Sequence, residues 1–151
     1  MHDLILCVHV LAGAAWFGAM LYSLFVVQPR ARRFFRREDA FEEFAATLAA
    51  GARWKVLSGC GLIAGTGVGL LLCAGPLTEF AKQWLKAKSV FFGMAVTIFC
   101  YVSWRLWPAR VLAAPSEVLS VQKRFRTWAA VLICLVGLCF VCALIGGHGA
   151  R

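Results

Sequence analysis

Charged residues make up only 15% of this chain, against about 25% in an average soluble domain, and they avoid four long stretches of it. Too few residues remain between those stretches to build a large soluble domain. Methionine is scarcer still. Met1, Met20 and Met94 are the only three, so there is no methionine-rich loop. Cysteine is not scarce, but the doubled C-x-x-C spacing of a zinc site is missing. Cys139 and Cys142 form a single C-x-x-C, and one such pair is a weak metal signal. Low-complexity tracts are absent. A cleavable signal peptide is not expected either, because the first basic cluster follows the N-terminal apolar run instead of preceding it.

What is abundant is hydrophobic sequence: 62% of residues, with a mean hydropathy of +0.78. Crossing a bilayer core of about 30 Å takes about 20 helical residues, and four segments are long and apolar enough. They run approximately over residues 3–28, 54–74, 84–107 and 128–147. The expected fold is all-α, a single domain over residues 1–151 forming an antiparallel bundle of four transmembrane helices. After the first span, EDAFEEFAATLAA places Phe41, Phe44 and Leu48 at helical spacing beside Glu42 and Glu43. That pattern predicts an amphipathic helix at the cytoplasmic surface or a helical extension. Pro29 is expected to mark the bend where the first span ends, and Ser116 to cap an extension of the fourth helix.

The net charge of +9 invites a nucleic-acid reading, but the distribution of charge argues for topology. The first loop and its flanks carry Arg30, Arg32, Arg33, Arg36, Arg37, Arg53 and Lys55. The third carries Arg105, Arg110, Lys123, Arg124 and Arg126. The other side has Lys82, Lys86, Lys88 and Arg151. By the positive-inside rule, loops 1 and 3 are expected to be cytoplasmic and both termini to lie on the outer, periplasmic side of a cell inner membrane. No nucleic-acid partner is expected. The expected surroundings are a lipid bilayer, with anionic lipid near the basic loops.

Small residues recur every four positions in the second span at Gly61, Gly65, Gly69 and Cys73, with a similar row at Cys139, Ala143 and Gly147 in the fourth. Such rows let helices approach closely, for packing alone or to clear room for a flat ligand. Trp54, Trp104, Trp107 and Trp128 fall at one predicted interface and Trp84 at the other, as aromatic belts do. Trp16 falls in mid-span, where a belt does not account for it. The seven cysteines all lie inside spans, where free thiols act as small packing residues or, as a pair, as soft ligands for Cu(I).

His9 is about six residues into the first span, roughly 9 Å deep at 1.5 Å per residue. Lys88 reaches similar depth from the same side in the third span. Ionisable groups at such depth face the bundle interior and mark functional sites. The alternatives are a histidine bonded to a backbone carbonyl and a lysine snorkelling to the interface. His148, at the end of the fourth span, lies toward the same side.

The segments VHVLAGAAWFGAMLY and QWLKAKSVFFGMAV together resemble the CopD/HemJ-like four-helix membrane proteins, which include HemJ-type protoporphyrinogen oxidases and CopD-type copper-resistance membrane domains. The matching motifs are His9 with Trp16-Phe17 and Trp84-Leu85-x-x-Lys88. The resemblance covers most of the chain in helix order. It implies a b-type haem with His9 as axial ligand and Lys88 as second ligand or propionate partner. Trp16 would pack against the porphyrin, and His148 would be the reserve ligand. It also implies membrane redox or electron transfer, with a quinone or other membrane electron carrier as partner. The fourth segment, KRFRTWAAVLICLVG, lacks the Asn-Glu-x-Pro signature of the oxidases, so the resemblance leaves enzymatic activity undecided. Two other readings stand beside haem: a cofactor-free accessory subunit of a larger membrane complex or homo-oligomer, and CopD-like copper transport or resistance.

Overall fold

The computed structural model describes residues 1–35, 37–111 and 117–148; for residues 38, 39, 49, 110, 111, 118 and 148 it describes the backbone alone. The described residues are helical, with no strand among them. Helix α1 (His2–Tyr22) passes through a π-helical turn, Ser23–Val27, into α2 (Gln28–Phe34). Next come α3 (Glu38–Ala49) and α4 (Ala52–Cys73). Helix α5 (Glu79–Tyr101) passes through a second π-helical turn, Val102–Leu106, into α6 (Trp107–Val111), and α7 (Val118–His148) completes the order. Four helical stretches are long and apolar enough to cross a membrane: His2–Phe34, Ala40–Cys73, Glu79–Ala109 and Leu119–Gly147.

These stretches overrun the expected boundaries, and Pro29 shows why. The helix does not end at Pro29 but continues to Phe34. Proline has no N–H to donate and its ring crowds the carbonyl one turn back. A π turn widens the ladder at that spot. Gln28 N–H accordingly donates five residues back, to the Ser23 carbonyl. The same solution precedes Pro108, where Trp107 N–H donates to the Val102 carbonyl. The extension expected on the fourth helix is present from Val118, while its expected cap, Ser116, lies outside the described residues, as does Arg151.

The two π turns belong to a wider correspondence. One interval of 79 residues separates Tyr22 from Tyr101, Pro29 from Pro108 and His9 from Lys88. Each tyrosine closes an α-helix, and each proline is the second residue after a π turn. The contacts repeat as well. A Cβ on Gly69 would meet Ile5, and one on Gly146 would meet Trp84, the residue 79 after Ile5. The two hairpins, α1–α4 and α5–α7, thus place these few features at corresponding positions.

Helix α5 packs chiefly on α7 and α1 on α4, with α1 also touching α7. The core is small: Ala95, Leu132, Leu135 and Val136, flanked by Trp16, Phe17, Met20, Phe91, Ile98, Phe99 and Phe140. Large apolar side chains such as Leu4, Leu11, Val68 and Leu72 point outward. Gly51, with φ +71°, makes the turn between α3 and α4, a conformation that suits glycine because it has no Cβ. Thr78 caps α5, its hydroxyl accepting from Ala81 N–H at 3.2 Å.

The glycine row of the second span does not pack as expected. A Cβ on Gly61 or Gly65 would meet nothing within 4 Å, and Gly61, Gly65 and Cys73 are exposed. The packed face of α4 runs instead through Cys60, Ile63 and Gly67. On α7 it runs through Leu132, Leu135, Val136, Cys139 and Cys142, leaving Ala143 and Gly147 exposed. Mixed steps of three and four follow the 3.6-residue turn, whereas a strict step of four drifts around the helix.

The amphipathic helix is present as α3. Its Phe41 is only 2% exposed and lies under the Arg32 guanidinium, 5.2 Å from ring centroid to Cζ. Gln122 of α7, 4% exposed, accepts from Arg32 and donates from Nε2 to Glu42 Oε1 at 2.9 Å. This polar link joins α2, α3 and α7 at the end of the bundle that carries the arginines, called here the basic end.

Candidate functional site

His9 reaches the interior because it lies on the side of α1 that packs on α4. Glycine 67 makes room for the ring: a Cβ there would stand 3.3 Å from His9 Cε1. Thr66 then meets the ring edge, with its Oγ1 2.9 Å from His9 Nδ1. On the other side, Lys88 Nζ of α5 lies 3.2 Å from His9 Nε2. Helices α1, α4 and α5 therefore converge on one imidazole.

The polarity of these bonds can be worked out. Thr66 has one hydroxyl hydrogen, and its Oγ1 lies 2.6 Å from the Leu62 carbonyl and 3.1 Å from that of Ile63. A carbonyl only accepts, so the hydroxyl donates backward into its own helix. Toward His9 it must accept, and Nδ1 carries the hydrogen. Nε2 is then the lone-pair nitrogen, and Lys88 donates to it. A metal-binding imidazole also has one nitrogen held by a hydrogen bond; here the other, Nε2, accepts from Lys88.

Trp16 lies two turns beyond His9 on α1, roughly the same face. It packs edge-on against Phe92, with centroids 6.2 Å apart and planes at 84°. Phe92 is one turn beyond Lys88. His9–Lys88 and Trp16–Phe92 are thus successive rungs between α1 and α5. Lys88 is also held from behind, since Cys139 Sγ lies 3.6 Å from the Lys88 carbonyl oxygen. All seven cysteines are free thiols, with Cys60, Cys139 and Cys142 buried. Of the four residues expected at the site, His9 and Lys88 meet, Trp16 packs on Phe92 farther along the helices, and the side chain of His148 lies outside the described residues.

Thr66, Gly67 and Phe92 were not anticipated. Thr66 had a signal, being one of two hydroxyl residues, with Ser58, in an otherwise apolar span. Among the described residues, no group of three or more His, Cys, Asp or Glu is placed to hold a metal ion, and no buried side-chain nitrogen or oxygen lacks a partner.

The donor set can be compared with the needs of a haem iron. Two nitrogens binding one first-row metal from opposite sides, at about 2.0–2.1 Å each, stand about 4 Å apart. His9 Nε2 and Lys88 Nζ face each other at 3.2 Å. Both are nitrogen donors of a kind that can ligate iron, and in this structure they are bonded directly to each other.

No family model, no curated protein and no solved structure matches the chain.

Proposed function

We propose that this chain is a small integral membrane protein that binds b-type haem and serves membrane redox or electron transfer. The observation that carries the reading is the pairing of His9 Nε2, oriented by Thr66, with Lys88 Nζ across α1 and α5. Outward-facing leucines and valines on long apolar helices support insertion in a bilayer. The order of contacts, with Ile5 near Gly69 and His9 near Thr66, supports antiparallel hairpins. Arginines gathered at one end support an inner-membrane topology with that end cytoplasmic.

Haem, when bound, would supply one-electron chemistry. The protein's part is to present Nε2, to hold the ring in one tautomer through Thr66, and to keep Trp16 and Phe92 beneath the ligands. Whether the CopD/HemJ likeness extends to protoporphyrinogen oxidation is a separate question, answered by assaying that oxidation directly. The first test is haem titration of the purified protein with quantification of bound haem. Stoichiometric binding with a sharp Soret band supports the proposal, and haem that stays free in detergent contradicts it.

One observation favours a second reading, the cofactor-free accessory subunit. His9 and Lys88 already satisfy each other directly, as a structural pin between the two hairpins would. The copper reading draws on Cys139 and Cys142, both buried, and metal analysis of the purified protein tests it.

A further inference from the structure

A cavity of about 550 Å³ opens between the hairpins at the basic end. That volume lies within the usual range for small-molecule sites, about 300–1,000 Å³. Its polarity is graded along the bundle. The inner end is walled by Trp16, Phe99 and Leu132, near mid-bundle. The outer end holds Gln28, Arg53 and Ser103. Helix α3 forms one wall through Phe41 and Phe44, and the Arg32–Gln122–Glu42 link fastens that wall in place. Both π turns reach the cavity, through Ser23 and Ser103, so the two prolines that widen the helices also help to shape it.

Its chemistry selects among ligands. Aromatic walls favour a flat ring over an acyl chain alone. An amide, a guanidinium and hydroxyls at the mouth suit a ring that carries oxygen acceptors. Arg53 is the one ionised group among the lining residues, fewer than a phosphate headgroup engages when clusters of basic residues bind it. The geometry points to a binding site for an isoprenoid quinone, its ring oxygens toward Gln28 and Arg53 and its tail along the apolar walls. Trp16 belongs to both places: it lines the cavity and forms the rung below His9 and Lys88. The use of such a site rests on the redox reading above; its occupancy does not.

Tryptophan fluorescence provides the test, because quinones quench tryptophan on contact and Trp16 and Trp107 both line the cavity. Decylubiquinone would be titrated into the haem-free protein in detergent. Saturable quenching is expected. It should be lost in Ala129→Phe, which fills the cavity, and kept in Ala130→Phe, whose exposed position lies outside it. Arg53→Gln, at the exposed mouth, should weaken binding by about tenfold and keeps the test decisive if Ala129→Phe fails to fold. Quenching that rises linearly and equally in all variants would overturn the site. Saturable quenching abolished by excess phosphatidylglycerol, with that lipid retained in native mass spectra, would assign the cavity to lipid and overturn the quinone. Failure to bind haem would leave all these outcomes readable.

Discussion

Lys88 Nζ lies 3.2 Å from His9 Nε2, although 79 residues separate them. The same interval separates Tyr22 from Tyr101 and Pro29 from Pro108, so the contact joins the two hairpins at corresponding positions.

The bond to Thr66 should matter more than its modest size suggests. Thr66→Val keeps the shape and removes the acceptor for His9 Nδ1–H. Losing that hydrogen bond should cost about 1 kcal/mol, which should appear as a lower Tm in detergent, with Thr66→Ser restoring most of it. An unchanged Tm in Thr66→Val would show that the ring is not held by this bond.

The two glycine faces of α4 make opposite predictions. Gly67→Leu should destabilise the bundle by about 1–3 kcal/mol, because the new side chain must displace His9. Gly65→Leu should be close to neutral in stability, since nothing within the protein stands in its way. Thermal unfolding of both variants decides it; equal losses would refute the assignment of faces.

How far the sequence reveals this arrangement differs from element to element. Four long apolar helices and the amphipathic α3 are legible because hydropathy and helical spacing report them directly. His9, Lys88 and Trp16 stand out because polar or bulky groups at depth need a partner. The packed face of α4 is not legible: several rows of small residues overlap there, and the row with the most regular spacing, Gly61–Gly65–Gly69, leaves two of its glycines open. The π turns are hidden because Pro29 and Pro108 read equally well as helix ends. The 79-residue correspondence is hidden because the two hairpins share positions more than side chains, with a histidine in one where the other has a lysine.

The link at the basic end should control α3. Gln122→Leu removes both the acceptor for Arg32 and the donor to Glu42. Amide exchange in α3 should then rise at least several-fold while α4, α5 and α7 keep their protection. Unchanged exchange in α3 would show that the Gln122 link does not hold it.

The proposed orientation places Glu43 in the cytoplasm and the N-terminus outside. Reporter fusions at Met1 and within α3 should report opposite sides of the membrane. The same side for both would contradict a single crossing by α1.

The central claim is tested most directly by the reduced-minus-oxidised absorption spectrum of wild type, His9→Ala and Lys88→Ala, each expressed with ample haem and shown to be folded. The account predicts a b-type spectrum in wild type, its loss in His9→Ala, and a shifted or weakened Soret band in Lys88→Ala. A folded wild-type protein with no haem spectrum, or a His9→Ala variant with an unaltered one, would contradict it.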